Sequence, residues 1–363
     1  MKRFPVYQPH IDAREKELVV DCMDSTWISS RGKYVDLFEK QLAELAGVEH
    51  AIAMHNGTHP LHIACLLAGV GAGDEVIVPV FSYVATANAV AYCGAKPVFV
   101  DVSPDDWNID IAKVRDKISE RTKAIIAVDI YGYPANYPAL REVADEHNII
   151  LIADSAESIG SSLFGKTTAE LADYTTYSFF GNKTITTGEG GALLTNHTQA
   201  ADLARQLKNQ GNSTQQRYYH DVLGYNYRMT NIQAAIGVGQ LEKLPGILDR
   251  KRAIYERYRS HLESVAEFQA IHPEYQSSFW LVSFCLPAGI NRDKVMEQMD
   301  QLGIETRPFF IALDQLPYFE EGNFPVAYDI SERGISVPSY PGLKDEDVDF
   351  ISRCLTDIIS KNT

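Results

Sequence analysis

Residues 178–191, Ser-Phe-Phe-Gly-Asn-Lys-Thr-Ile-Thr-Thr-Gly-Glu-Gly-Gly, place one lysine, Lys183, in a glycine-rich stretch between two apolar runs. A lysine in a turn is ordinarily a solvated amine. Glycines on its C-terminal side widen what it can do, because they let backbone approach a ligand closely while the amine reaches into a pocket. The spacing is not that of a GxxxxGK phosphate loop. Asp154 closes a very apolar run and is followed by Ser155, Ala156, Glu157 and Ser158. Such an aspartate is either a helix N-cap or a carboxylate that pairs with a protonated ring nitrogen. Asn56-Gly57-Thr58 stands at a strand-to-helix junction, where first-turn amides and a hydroxyl serve as a capping turn or as a cradle for a phosphate dianion. Each motif alone favours its ordinary role. Three of them in the order cradle, aspartate, lysine, all at strand ends, favour one site. The group that needs a phosphate cradle, an acid for a pyridine nitrogen and a Schiff-base amine is pyridoxal phosphate (PLP).

These residues need a scaffold that gathers strand ends. Apolar runs at 75–80, 96–102, 124–130 and 148–154 alternate with amphipathic stretches, the pattern of a mostly parallel α/β sheet, whose ligands collect at the carboxyl ends of the strands. Ser82, Tyr83 and Asp129 fall at such ends too. Helical periodicity covers Ile232 to His261, with a break expected at Pro245-Gly246. Strand-like Phe279 to Cys285 and two more helices follow. The expected organisation is a large cofactor-binding domain over 1–245 and a smaller C-terminal α+β domain over 246–363, with the N-terminal segment available to pack on the latter. The charged run from Asp249 to Arg252 reads as a solvated helix face.

The chain has 363 residues, 45% of them hydrophobic and 22% charged, enough for a large core. Its net charge of −15, from 33 basic and 48 acidic residues, argues against a nucleic-acid or anionic-membrane surface. The opening Met1-Lys2-Arg3-Phe4-Pro5 leads into no apolar signal region, and no run spans a bilayer, so the expected location is the cytoplasm. Five cysteines without CxxC spacing suggest buried thiols and no metal site.

From Pro5-Val-Tyr-Gln-Pro9 and 24–34 (Asp-Ser-Thr-Trp-Ile-Ser-Ser-Arg-Gly-Lys-Tyr), through the Lys183 loop and 220–231 (His-Asp-Val-Leu-Gly-Tyr-Asn-Tyr-Arg-Met-Thr-Asn), to 307–310 (Arg-Pro-Phe-Phe), the chain resembles a known family. That family is the DegT/StrS-type, fold-type I PLP-dependent aminotransferases of nucleotide sugars. The resemblance is greatest to members that aminate C4 of GDP-4-keto-6-deoxymannose to give GDP-perosamine for surface polysaccharide (O-antigen) synthesis. It implies that Lys183 forms the Schiff base and shuttles protons, and that Asp154 pairs with the pyridinium nitrogen. By the same resemblance Glu157 approaches the ring hydroxyl or substrate, and Gly57, Thr58 and Ser178 bind the phosphate. Tyr83 would cover the pyridine face, and Asn231 would reach the cofactor phosphate of a neighbouring subunit, so a homodimer with shared sites is implied. Glutamate is the implied donor. Arg228, Arg307 and Trp27 are the expected substrate contacts, with Arg31 and Lys33 as further cationic candidates. Two departures leave the sugar open: residues 310–314 lack the histidine expected after the Arg-Pro, and His55 and His59-Pro60 flank the cradle. UDP- or dTDP-linked keto sugars, amination at C3, and a non-catalytic regulator of the same fold are the alternatives. A related dehydratase would carry histidine where Lys183 stands.

Overall fold

A computed structural model describes residues 2–362. His50–Met54 (β1), Glu75–Pro79 (β2), Lys96–Val100 (β3), Thr122–Val128 (β4), Ile150–Asp154 (β5), Tyr174–Ser178 (β6) and Gly191–Thr195 (β7) form a seven-stranded sheet in the order β1-β7-β6-β5-β4-β2-β3. The pairings β3-β2-β4-β5-β6 are all parallel. Only β7 runs against its neighbours, β1 and β6. Parallel strands are covered on both faces and so need side chains that are apolar throughout. The Val-Ile-Val of β2 and the Leu-Ile-Ala of β5 are fully buried. Sheet strands therefore occur where the apolar runs predict them, and six of them point their carboxyl ends to one edge.

A second group of buried side chains lies around a three-stranded antiparallel sheet made of Val282–Cys285, Arg307–Pro308 and Gly334–Val337. Helices Arg292–Gln301 and Asp345–Asn362 cover it. Phe4 joins this core, and its N–H donates to Gly303 O at 2.8 Å.

One helix, Asn231–Leu262, runs unbroken for 32 residues through the expected break at Pro245-Gly246. The reason is packing. Leu244 and Ile247 are buried in the core beside Phe38, while Ile254, Tyr255, Tyr258 and Leu262 are buried in the second core. Pro245 sits on the exposed side between them. A proline in a helix interior costs about 3 kcal/mol, less than burying several large side chains at about 2 kcal/mol each returns. The charged run that follows is also not uniformly solvated. Lys251 is 1% exposed and its Nζ donates to Ser339 O at 3.1 Å, with burial lowering the amine to about 7.

Replacing Pro245 with alanine restores a backbone donor and removes the ring from the groove of the preceding turn. We expect Pro245→Ala to raise the thermal midpoint by about a degree or more. A lowered midpoint in calorimetry would show that the proline ring packs usefully.

Candidate active site

Several strands deliver their next residues into one cavity of about 500 Å³. After β1 comes the turn 56–58, after β2 Ser82 and Tyr83, at the end of β5 Asp154, and at the end of β6 Ser178 and the loop to Lys183. All of these line the cavity except the strand bodies themselves. The sheet topology thus brings together residues spread over more than a hundred positions.

The turn 56–58 is packed too tightly for side chains. A Cβ on Gly57 would lie 2.6 Å from the Ser178 Cβ, and one on Gly191 would lie 2.3 Å from Asn56 O. The turn opens the helix Thr58–Leu67, but its amides are not all on offer. The N–H groups of Thr58 and His59 donate to Asn56 Oδ1 at 3.1 and 3.2 Å. The cradle expected from the sequence therefore rests on Gly57 backbone and on the hydroxyl-bearing Thr58 and Ser178, which line the cavity.

Asp154 is 5% exposed. Burial raises its carboxyl, while the Thr86 hydroxyl (2.7 Å) and the Ala156 N–H (3.3 Å) favour its charged form, as does the Lys183 charge. It forms no helix cap here: a turn, not a helix, follows β5. Glu157 is 4% exposed; Oε2 accepts the Tyr131 N–H at 2.7 Å, and Oε1 lies 3.6 Å from Lys183 Nζ. Burial pushes this carboxyl up to about 7 despite the Lys183 charge and the Tyr131 hydrogen bond. Two acids and one amine thus share a place that water scarcely reaches. Such a place can hold a cationic ring nitrogen against Asp154 and move a proton through the amine.

Tyr83 lines the cavity with its ring half-exposed and 6.0 Å from the Phe310 ring. Arg307 also lines the cavity, its Nη2 3.6 Å from Glu305. The remaining expected contacts are elsewhere. Trp27 is 57% exposed outside the cavity. Arg228 is outside it too, its guanidinium bonded only to the amide oxygens of Asn226 and Asn209.

Asn231 is bonded within its own chain. It is 1% exposed, its Oδ1 accepts the Tyr34 N–H, and its Nδ2 donates to Trp27 O at 2.7 Å and to Cys22 Sγ. Both N–H donors of its side chain thus tie the 22–34 region to the start of the long helix within one chain. Asp129, another strand-end acid, is also structural: the Ser155, Ser158 and Tyr137 hydroxyls and the Ala135 N–H surround it, and burial pushes it up to about 6.

Sequence reasoning missed four residues that shape the site. Thr86 holds Asp154; its position four residues after Ser82, on the first turn of the helix Ala85–Tyr92, is the signal that could have found it. Tyr131, Trp280 and Tyr7 give no local signal. Tyr7 donates its hydroxyl to the carbonyl of Lys183 itself, from 176 positions away.

The raised carboxyl of Glu157 has a stability consequence. Between the ordinary glutamate range near 4.5 and about 7, the folded protein keeps a proton that the unfolded chain has lost, so stability must fall as pH rises through that window. In protein stripped of cofactor, Glu157→Gln should make this slope shallower. Denaturant midpoints measured from pH 4.5 to 7.5 would count against the assignment if the two slopes coincide.

The comparisons with known proteins agree with this geometry. The chain is 44% identical over 360 residues to a GDP-perosamine synthase of Vibrio cholerae, covering 97% of this chain and 98% of the relative. It is 41% identical to a GDP-perosamine synthase of Escherichia coli O157:H7, covering 99% and 100%. Its fold superposes with a TM-score of 0.95, at 27% identity and over the full length of both chains, on a proposed sugar aminotransferase of Streptococcus pneumoniae solved in its PLP form. The profile of the DegT/DnrJ/EryC1/StrS aminotransferase family matches residues 9–356, and the chain belongs to that family.

Proposed function

We propose that this protein is a PLP-dependent aminotransferase that moves an amino group from glutamate to the C4 keto group of GDP-4-keto-6-deoxymannose, forming GDP-perosamine. The carrying observation is that Lys183 Nζ meets Glu157 at 3.6 Å inside a cavity that Asp154, Gly57 and Ser178 also line. The sugar and base follow the two relatives more than 40% identical over nearly the whole chain.

The residues present fit the cofactor. Gly57, with no room for a Cβ, would lie against the phosphate beside Thr58 and Ser178, Asp154 would face the ring nitrogen, and Tyr83 would flank the ring. When bound, PLP supplies an electron sink that makes the carbon bearing the amine acidic. The chain's own tasks are then definite. Lys183 would hold the cofactor and, as a free amine, would carry a proton between two carbons on one face of the site. Asp154, held by Thr86, keeps a cationic partner protonated. Arg307 offers its planar fork to a carboxylate or phosphate oxygen. Phe310 and Tyr83 shield that wall from water.

Among the described residues no helix is long and apolar enough to cross a membrane, and we place the enzyme in the cytoplasm, where nucleotide sugars are made. Its working unit is a homodimer. Residues 218–223 expose Tyr218 and Leu223 at 83% and 85%, side chains that a partner would cover. Arg228 follows them, and among the described residues no carboxylate pairs with it. We assign Arg228, in place of Asn231, to the anionic contact made across the dimer.

Two measurements test these readings. With glutamate and GDP-4-keto-6-deoxymannose the protein should form a sugar whose new amine NMR places at C4. Borohydride should fix the cofactor on the peptide containing Lys183, and Lys183→Ala should abolish both results. A label on another lysine, or amination only of a different nucleotide sugar, would replace the corresponding part. For the shared site, inactive Lys183→Ala and inactive Arg228→Glu chains, mixed under conditions of subunit exchange, should regain about a quarter of wild-type activity, because half the dimers carry one intact site. No recovery after proven exchange would return Arg228 to its own chain's service.

A further inference from the structure

Lys183 has a neighbour that its role does not explain. Trp280, 98 positions from Asn182, is 4% exposed, and its Nε1–H donates to Asn182 O at 2.6 Å. Its ring lies under the amine of Lys183, with Nζ 4.0 Å from the centroid. The indole face carries the negative side of the ring quadrupole and attracts an ammonium group there, most strongly when water is excluded. Glu157 Oε1, at 3.6 Å, approaches the same amine.

The protein strains itself to keep this indole in place. Phe279, just before it, has a φ of 48°, and Tyr131, stacked on the indole at 6.3 Å and 13°, has a φ of 56°. Aromatic residues occupy that left-handed region only when the surroundings enforce it, and such outliers gather at functional sites. The enforcement is visible. The Ser278 hydroxyl donates to Glu157 O at 2.8 Å and its N–H to Ser161 Oγ at 2.9 Å, while the Phe279 ring stacks on Tyr255 at 4.1 Å. The segment that carries Trp280 is therefore fastened to the backbone of Glu157, the acid beside the lysine. On the far side of the loop, Tyr7 fixes the Lys183 carbonyl.

We propose that Trp280 is a positioning residue for Lys183: its indole face seats the ε-amine whenever that amine is free of the cofactor, and its N–H fixes the peptide just before the lysine. The inference rests on the reading of Lys183 as the Schiff-base lysine. A lysine side chain carries about 2 kcal/mol of rotamer freedom, which an amine acting as proton carrier must give up in each turnover. A seat beside the cavity reduces that loss, because the amine waits near both carbons that it serves. No bond changes at Trp280, and it takes no proton.

The test separates the seat from the chemistry. In cofactor-free protein labelled with 13C at lysine Cε, the Lys183 methylene, assigned by its disappearance in Lys183→Met, should resonate upfield of the other lysines because of the indole ring current. It should return to the ordinary position in Trp280→Leu and stay shifted in Trp280→Phe. In reconstituted enzyme the single-turnover rate with glutamate should fall about tenfold in Trp280→Leu, with half-saturation within about twofold of wild type. Trp280→Phe should lose less. Should Trp280→Leu fail to fold, incorporation of tetrafluorotryptophan keeps the shape and the N–H while depleting the ring face. It should slow the same step, and Trp280→Phe protein grown with the analogue should show no further slowing. An unshifted Lys183 methylene in the wild type, or unchanged rates in both Trp280→Leu and the fluorinated protein, would overturn the proposal. A borohydride label on another lysine would instead overturn the role of Lys183 and leave the ring-current result standing.

Discussion

Everything in this site follows from holding two carboxylates out of water at one edge of a parallel sheet. Asp154 and Glu157 are both nearly inaccessible, and burial alone would push each toward the neutral acid. A site that is to hold a cationic ring must keep at least one of them charged. The structure does so unequally. Asp154 receives a hydroxyl and an amide hydrogen bond, whereas Glu157 has one backbone amide and the nearby lysine. Similar chemistry three residues apart is thus set in two different hydrogen-bond environments, and the less supported acid, Glu157, is pushed up to about 7.

The parallel sheet was legible because burial on both faces demands unbroken apolar runs, and those runs mark β2 to β5 within a few residues. The cavity-lining residues were legible for a related reason: polar groups that follow such runs must emerge at the sheet's edge. Gly57, Asp154 and Lys183 could be read in this way. Residues that act through long-range contact could not. Trp280 and Tyr7 reach the Lys183 loop from other parts of the chain, and nothing in their own neighbourhoods distinguishes them from core aromatics.

Two positions on the long helix show what local sequence leaves out. Pro245 looked like a break because local backbone preference favours one, and Asn231 was given its phosphate role by the family resemblance alone. At both positions tertiary packing shapes what the side chain does within its own chain. The long helix is held from both cores, which outweighs the proline. The amide of Asn231 is bonded to the backbone of Trp27 and Tyr34, which makes it a fastener for the segment 27–34. Lys251 belongs with them: its charged neighbours suggested a wet surface, but the helix turns it inward beneath Ser339.

That helix has a further consequence. Its first half is buried among Phe38, Leu42 and Phe179, and its second among Phe284, Val337 and Leu355. One rigid rod is therefore shared by two cores that sheet topology alone would let a reader separate. Neither core can lose its helix without exposing the apolar stripe of the other. A cut through the helix would therefore leave each core with an exposed apolar stripe.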